Sequence, residues 1–418
     1  MQKQYASWRK VGVLVICLLA QSMLVWADPL SIDEAVNMAL QNNLDIKISA
    51  NSKQQADYTL QSTEGSRKIS VDASNSFYLK QIHYHSTTNS SNISLSYPLY
   101  SGGKIEGNIE NAKIDVTIAD LELQKTIQDT RLKALSAYYD VIKAHKVQAV
   151  DQETVNNYVL HLNDVQAQYS AGNIARIDVL RSEVELADAQ QTLLQAQVSY
   201  QVAVNSLKDV IKWRSMESPE FIDEFAYIPV ARTVNDCLVF ANQNRPDLEE
   251  YRLAIDKAKR SVDIARADKK PSVSLFAATG WGSNILPSQD NTMYVGVETS
   301  WNLFDGNVTE ANVKKAQSAT EAAQLKLTAQ EDTVAVNVKE YYMEMKEAEE
   351  RMKTTQFAIH KAEEDYSMAE KKYKVGEGIL LDVIDAQLAL TTAKNNYIEA
   401  QYDYAVYKAK LENAMGLN

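Results

Sequence analysis

Side chains that could carry chemistry are few in this sequence and poorly grouped. His83-Tyr-His85 puts two imidazoles at alternate positions near a strand end, where both rings can share a face, but no third metal ligand accompanies them. His145, His161 and His360 stand singly in helical stretches and read as surface or packing residues. Gly280-Trp-Gly282 and Gly376-Glu-Gly378 lack the strand-to-helix Gly-Lys-Thr pattern of a phosphate loop. There is no Gly-x-Ser-x-Gly and no Cys–His arrangement, and most Asp and Glu residues lie along helices as a solvated face. These patterns predict neither an enzyme nor a bound cofactor or metal. The acid pair Asp382 and Asp385 is the exception. Three residues apart at a helix start, the two carboxylates share one face. Locally, Asp382 suits a helix cap and Asp385 the first turn.

The elements that must position this pair are unusually long. The chain has 418 residues but only 7 Pro and 13 Gly, where average usage gives roughly 20 and 29. Few breakers mean few turns. From Lys104 to Tyr169 there is no Pro and a single Gly, and a helix of about 66 residues would measure roughly 100 Å. It ends at Tyr169-Ser-Ala-Gly-Asn-Ile-Ala-Arg-Ile-Asp178, and a second helix runs from Arg176 to about Trp213. The same break recurs at Tyr373-Lys-Val-Gly-Glu-Gly-Ile-Leu-Leu-Asp382, after a long helix from Val308 and before a shorter one from Ile379 to about Met415. Tyr169 pairs with Tyr373, Gly172 with Gly376 and Asp178 with Asp382, whereas Arg181 stands where the second copy has Asp385.

Upstream landmarks repeat too. Ser31-Ile-Asp-Glu-Ala opens a helix with capping-box spacing, and Thr233-Val-Asn-Asp-Cys is its counterpart. Asn42-Asn43 predicts a kink before a helix from Leu44 to about Gly65. Between helices lie period-two stretches. Val71, Ala73, Phe77 and Leu79 share a face opposite Asp72, Ser74, Ser76 and Lys80, and Ile93, Leu95, Tyr97 and Leu99 alternate with serines. Residues 86–91 are polar and predict a loop between these two strands. Strands three and four are expected at Ser272 to Trp281 and Met293 to Leu303. The mature chain thus reads as a tandem duplication, 28–232 and 233–418, each half built as helix, hairpin, long helix, tip and helix.

Residues 1–27 have the pattern of a cleaved export signal: Lys3, Arg9 and Lys10, then an apolar run from Val11 to Leu24, then Ala27. Bulky Ile16 before Cys17 argues against lipidation. Cleavage removes three basic and no acidic residues, so the net charge moves from −12 to −15, which disfavours nucleic acid and anionic lipid as main partners. Only Cys237 survives, so no intrachain disulfide can form.

Strands of about ten residues with one apolar face have the length and alternation of a membrane barrel. Four cannot close one, and an open sheet in lipid leaves unpaired edges, so closure needs several chains. A soluble sheet packed on helices is the competing reading. Helices this long must also line up with copies or partners.

The repeated tip, Tyr97-Pro-Leu-Tyr-Ser-Gly-Gly, Trp301-Asn-Leu-Phe-Asp-Gly-Asn and Ser31-Ile-Asp-Glu-Ala with Ala39-Leu-Gln-Asn-Asn resemble the TolC-like outer membrane efflux proteins, over nearly all of residues 30 to 418. The resemblance implies a mainly α fold with a small β part. Long helical hairpins would form a homotrimeric α-helical barrel, continuous with a twelve-stranded transmembrane β-barrel in the outer membrane to which each chain gives four strands. It also implies an exit duct for efflux or type I secretion, serving an inner-membrane RND, ABC or MFS pump through a periplasmic adaptor protein.

By the same resemblance, Asp382 and Asp385 would form the gate at the periplasmic end. Six carboxylates around a three-fold axis resist full ionisation and attract cations. Asp178 would be the equivalent acid of the first copy, and Tyr373 a link between neighbouring helices in the closed state. Gly172, Gly376 and Gly378 would lie at hairpin tips where adaptors dock, the first two also serving the turn. Some relatives carry an arginine where this chain has Gly378, so its closing network differs. The alternative function is a periplasmic coiled-coil protein without a pore.

Overall fold

A computed structural model of the chain describes residues 29–417 except 83, 215–218, 223, 226 and 284–289. The expected export signal at 1–27 lies outside the described residues, as does His83. The elements follow in the order α1 (Ile32–Asn42), α2 (Leu44–Gly65), β1 (Ser70–Ile82), β2 (Tyr84–Tyr100), α3 (Lys104–Ser170) and α4 (Arg176–Ile211). Then come α5 (Val234–Asn244), α6 (Pro246–Ala267), β3 (Ser272–Ser283), β4 (Asp290–Ser300), α7 (Val308–Lys374) and α8 (Leu380–Ala414). α3 and α7 have 67 residues each, about 100 Å of helix.

Local chemistry explains the boundaries. The Ser31 hydroxyl accepts from Glu34 N at 3.3 Å while the Glu34 carboxylate accepts from Ser31 N at 2.9 Å, a closed capping box. Thr233 and Asp236 build the same box at the start of α5. Asn43 breaks α1 from α2 by turning its side chain to accept from Asp45 N and Ile46 N.

Two compact units divide the chain, each taking pieces from both halves. The first comprises residues up to Gln41, Ala134–Tyr227 and Arg351–Tyr402. One of its cores packs Ala35, Val36 and Ala39 of α1 on Tyr138, Val141 and Ile142 of α3 and on Val204, Leu207 and Ile211 of α4. The Tyr138 hydroxyl donates to Leu30 O at 2.6 Å, which fixes the approach to α1.

The second unit comprises Asn42–Lys133, Ile228–Glu350 and residues from Asp403 on. Arg245 clamps Asp247 through two parallel hydrogen bonds of 2.8 and 2.5 Å and donates a third to Ala414 O at 2.9 Å. Burial pushes the Asp247 carboxyl up, but the Arg245 hydrogen bonds and charge outweigh it and hold the group below its ordinary range.

The unit's sheet is antiparallel in the order β1-β2-β3-β4. Register carries Val71, Leu95, Ala277 and Val295 across all four strands, with Ala73, Ile93, Thr279 and Met293 as the next row on that face. Asp72 and Ser94 lie on the other face. Phe276 sits opposite Gly296, where a Cβ would lie 3.0 Å from its ring.

Two expectations need correction. Residues 86–91 are not a loop: β2 pairs through them, Ser86 with Lys80 and Ser91 with Asn75. A ladder is held by main-chain hydrogen bonds, so a polar run can stay within it. β4 starts at Asp290 and ends at Ser300, so Trp301 and Leu303 lie past the strand.

Candidate functional site

Both tips belong to the first unit and end their long helices in the same way. Gly172 N donates to Tyr169 O at 2.9 Å and Asn173 N to Gln168 O at 3.0 Å. Gly376 N donates to Tyr373 O at 3.1 Å and Glu377 N to Lys372 O at 2.9 Å. These are the paired bonds of a Schellman ending, which needs a left-handed residue. Gly172 and Gly376 supply it with φ of +79° and +81°. Gly378 differs: a Cβ there would lie 3.1 Å from Lys372 Cβ and from Tyr373 N, so it permits close backbone approach.

α8 then begins with Asp382 in its first turn. Val383, Ile384 and Ala386 are buried, which leaves Asp382 and Asp385 exposed on the opposite side. Neither carboxylate makes a hydrogen bond or ion pair with a described residue, so Asp382 forms no side-chain cap. The pair is free to face whatever occupies the space before it. Asp178, in the first turn of α4, is half-buried, and Arg181 is exposed.

Behind the acids lies an apolar cluster of Val165, Tyr373, Leu380, Val383 and Ile384, with Val179 and Tyr366 against it. Tyr373 is 5% exposed and its hydroxyl has no hydrogen-bond partner among the described residues. Burial pushes its phenol up, and the charges of Asp178 and Asp164 add to this. So the structure brings Tyr373 and Asp178 within electrostatic reach, without a hydrogen bond between them.

His161, read from the sequence as a surface or packing residue, is a packing residue at this tip, 6% exposed. Its ring lies 5.2 Å from that of Tyr373, and its Nε2 is buried without a partner among the described residues. Burial holds its pKa below the ordinary histidine value, against the opposite pull of Asp164 and Glu370; Lys374 adds to the lowering. The available signal was spacing: His161 is three residues after Tyr158 and four before Val165, on the stripe that both bury. Lys374 bridges Asp164 at 3.4 Å and Glu370 at 2.8 Å beside it.

α8 is also tied to α3 by polar bonds along its length. Asn157 donates to Gln387 at 3.0 Å, the Thr154 and Thr391 hydroxyls lie 2.8 Å apart, and Lys394 holds Glu153 at 2.8 Å. α4 packs on α3 through Val155, Tyr158, Ala189 and Leu193. Its Ile177, Leu180, Val184, Leu194, Val198 and Val202 remain exposed. Among the described residues no helix is long and apolar enough to cross a membrane, and no three His, Cys, Asp or Glu side chains are grouped to hold a metal ion.

Residues 35–211 and 238–417 match the family model described as Outer membrane efflux protein. Among curated relatives, the alkaline protease secretion protein AprF of Pseudomonas aeruginosa is 24% identical over 78% of this chain and 69% of its own length. The cobalt-zinc-cadmium resistance protein CzcC of Cupriavidus metallidurans is 23% identical over 89% and 86%. As a fold, the chain is similar to the solved structure of CusC, with a TM-score of 0.83 and 16% identity over 93% of this chain and 92% of that one. With the family model matched over most of both halves, this chain belongs to the outer membrane efflux protein family.

Proposed function

We propose that the chain is the outer membrane channel of an efflux or secretion apparatus, a passive exit duct that changes no bond in its cargo. The observation that carries this reading is the sheet. Val71, Ile93, Met293 and Val295 of its apolar rows are exposed, Met293 at 78%, and β1 and β4 each have one unpaired edge within the chain. The apolar rows suit lipid, but the unpaired edges are not stable there unless other copies complete the ladder. Three copies give twelve strands. The uncovered stripe of α4 supports the same assembly, because a buried apolar face there needs a neighbouring subunit.

In this trimer Asp382 and Asp385 form the entrance rings, with Tyr373 and Asp178 behind them. Gly172, Gly376 and Gly378 shape the tips that a periplasmic adaptor would grip to connect an inner-membrane pump. The two halves, 28–232 and 233–418, are copies of one ancestral unit, a reading supported by the matched caps, tips and element order. The relatives' names point to different cargoes, a secreted protease for one and metal cations for the other.

The test is conductance. Protein purified in detergent from the membrane fraction should be trimeric and form small, cation-selective pores in a planar bilayer. Asp382→Ala with Asp385→Ala should reduce the selectivity. Currents indifferent to both changes would place the constriction elsewhere, and no detergent-dependent trimer and no current would leave a coiled-coil protein without a pore.

A further inference from the structure

Inside the second tip, behind the gate acids, sits a buried histidine. His161 of α3 is 6% exposed and packs on Tyr373 of α7, with ring centroids 5.2 Å apart and planes tilted by 53°. Its Nε2 and the Tyr373 hydroxyl are both buried atoms without a hydrogen-bond partner among the described residues. A neutral imidazole tolerates this at modest cost, because its unused nitrogen carries no net charge. An imidazolium does not: it has an N–H on each nitrogen and a charge that burial penalises.

The charges closest in effect are already engaged with each other. Asp164 of α3 meets Lys374 at 3.4 Å, and Glu370 of α7 meets the same lysine at 2.8 Å. Both acids favour a proton on His161 and Lys374 opposes it. α7 also gives the cluster the phenols of Tyr366 and Tyr373, and Tyr158 stands one turn before His161 on α3. α4 brings Asp178, whose charge reaches Tyr373, and Glu185, whose charge reaches Tyr158. α8 gives the cluster Leu380, Val383 and Ile384, while its Asp385 acts on Tyr158. No described residue forms an ion pair with His161.

We propose that His161 is a proton switch for this tip: protonation drives its ring away from Tyr373 and loosens α7 and α8 from α3. A charged ring must either draw Asp164 or Glu370 away from Lys374 or turn toward water, and both movements part it from Tyr373. Tyr373 is the shared contact, since the same cluster joins it to Val165 of α3 and to Leu380, Val383 and Ile384 of α8. Burial holds the His161 pKa below the ordinary histidine value, so the neutral, packed ring prevails above about pH 6.5 and is lost as pH falls further. In the proposed duct, Asp382 and Asp385 move with α8 and acid loosens the entrance; only this consequence rests on that reading.

The test uses full-length protein in detergent, with a trifluoromethyl probe on Val375→Cys and with Cys237→Ser. Val375 lies just past Tyr373 and is 71% exposed. Fluorine NMR from about pH 7.5 to about pH 5 should show a second state of the tip growing as pH falls. His161→Phe keeps a ring in place that cannot take a proton, and should abolish that state. Glu370→Gln removes a charge that favours the proton, and should move the midpoint to lower pH, which a purely structural role of Glu370 would not do. A probe indifferent to pH, a response that persists in His161→Phe, or a midpoint left unmoved or raised by Glu370→Gln would overturn the inference. Conductance of the same preparation reports separately on the duct: with no current at any pH that reading fails, while the fluorine spectra still decide the switch.

Discussion

Tyr169 and Tyr373 hold matching places before matching glycines, yet one is 44% exposed and the other 5%. The difference continues into the next helix. Leu180 is 46% exposed, whereas Ile384, its counterpart in the second half, is 8% exposed. Both tips have the same hydrogen bonds and the same left-handed glycine, so local structure does not separate them. Their neighbours do. α8 is held along α3 by polar bonds and meets Tyr373 of α7 in the tip cluster, while α4 packs on α3 and leaves a stripe uncovered. Matching local motifs therefore make two unequal ends within one chain. In the proposed trimer a second copy restores the missing neighbour to α4.

The largest expected effect comes from denying α4 that neighbour. Leu194→Asp with Val198→Asp places two charges on the exposed stripe without disturbing the α3–α4 core. Light scattering in detergent should then find the trimer lost. An intact trimer would mean that α4 meets no subunit there.

The covered tip is expected to be the costlier one to hollow out. Ile384→Ala should lower tip stability by about 2–5 kcal/mol, the usual range for a buried Ile-to-Ala change, read by hydrogen exchange around residues 380–386. Leu180→Ala should leave that exchange unchanged and act, if at all, on trimer dissociation. Equal effects on tip exchange would erase the distinction between the tips.

His161 adds a difference in pH response, because the matching position of the second half is the exposed Asp365. Burial keeps the His161 ring neutral more readily than in the unfolded chain. Its contribution is complete above the unfolded value of about 6.5 and is lost as pH falls below it, since the unfolded chain takes the proton first. Exchange around Val165 and Val383, corrected for its intrinsic pH dependence, should quicken between pH 7.5 and 5. His161→Phe should remove that response. A wild type insensitive to pH would show that Asp164 and Glu370 compensate the proton fully.

The smallest effect should be shared. Gly172→Ala and Gly376→Ala each place a side chain at positive φ in open space, so each should cost about 1 kcal/mol. A markedly larger cost at one tip, measured by thermal unfolding, would mean that its glycine touches something beyond its own chain.

Much of this was legible in order of residues. The two tips, the Ser31 capping box, the Asn43 break and the apolar rows of the strands were read from spacing and agree with the structure to within a few residues. The paired pairing of Ser86 through Ser91 was not, because serines and threonines signal a loop by composition while their main chains remain able to join a ladder. His161 was set aside as isolated for a related reason: its partner, Tyr373, is 212 positions away in the chain.

The sequence by itself determined the element order, the turn chemistry and the period of each face, since caps, left-handed glycines and alternation act within a few residues. Only the tertiary structure decided which copy of a repeated residue is buried. That depends on which helix comes to lie against it, and identical local motifs carry no record of their distant neighbours. The exposed Asp382–Asp385 pair and the buried Tyr373 hydroxyl both follow from that choice.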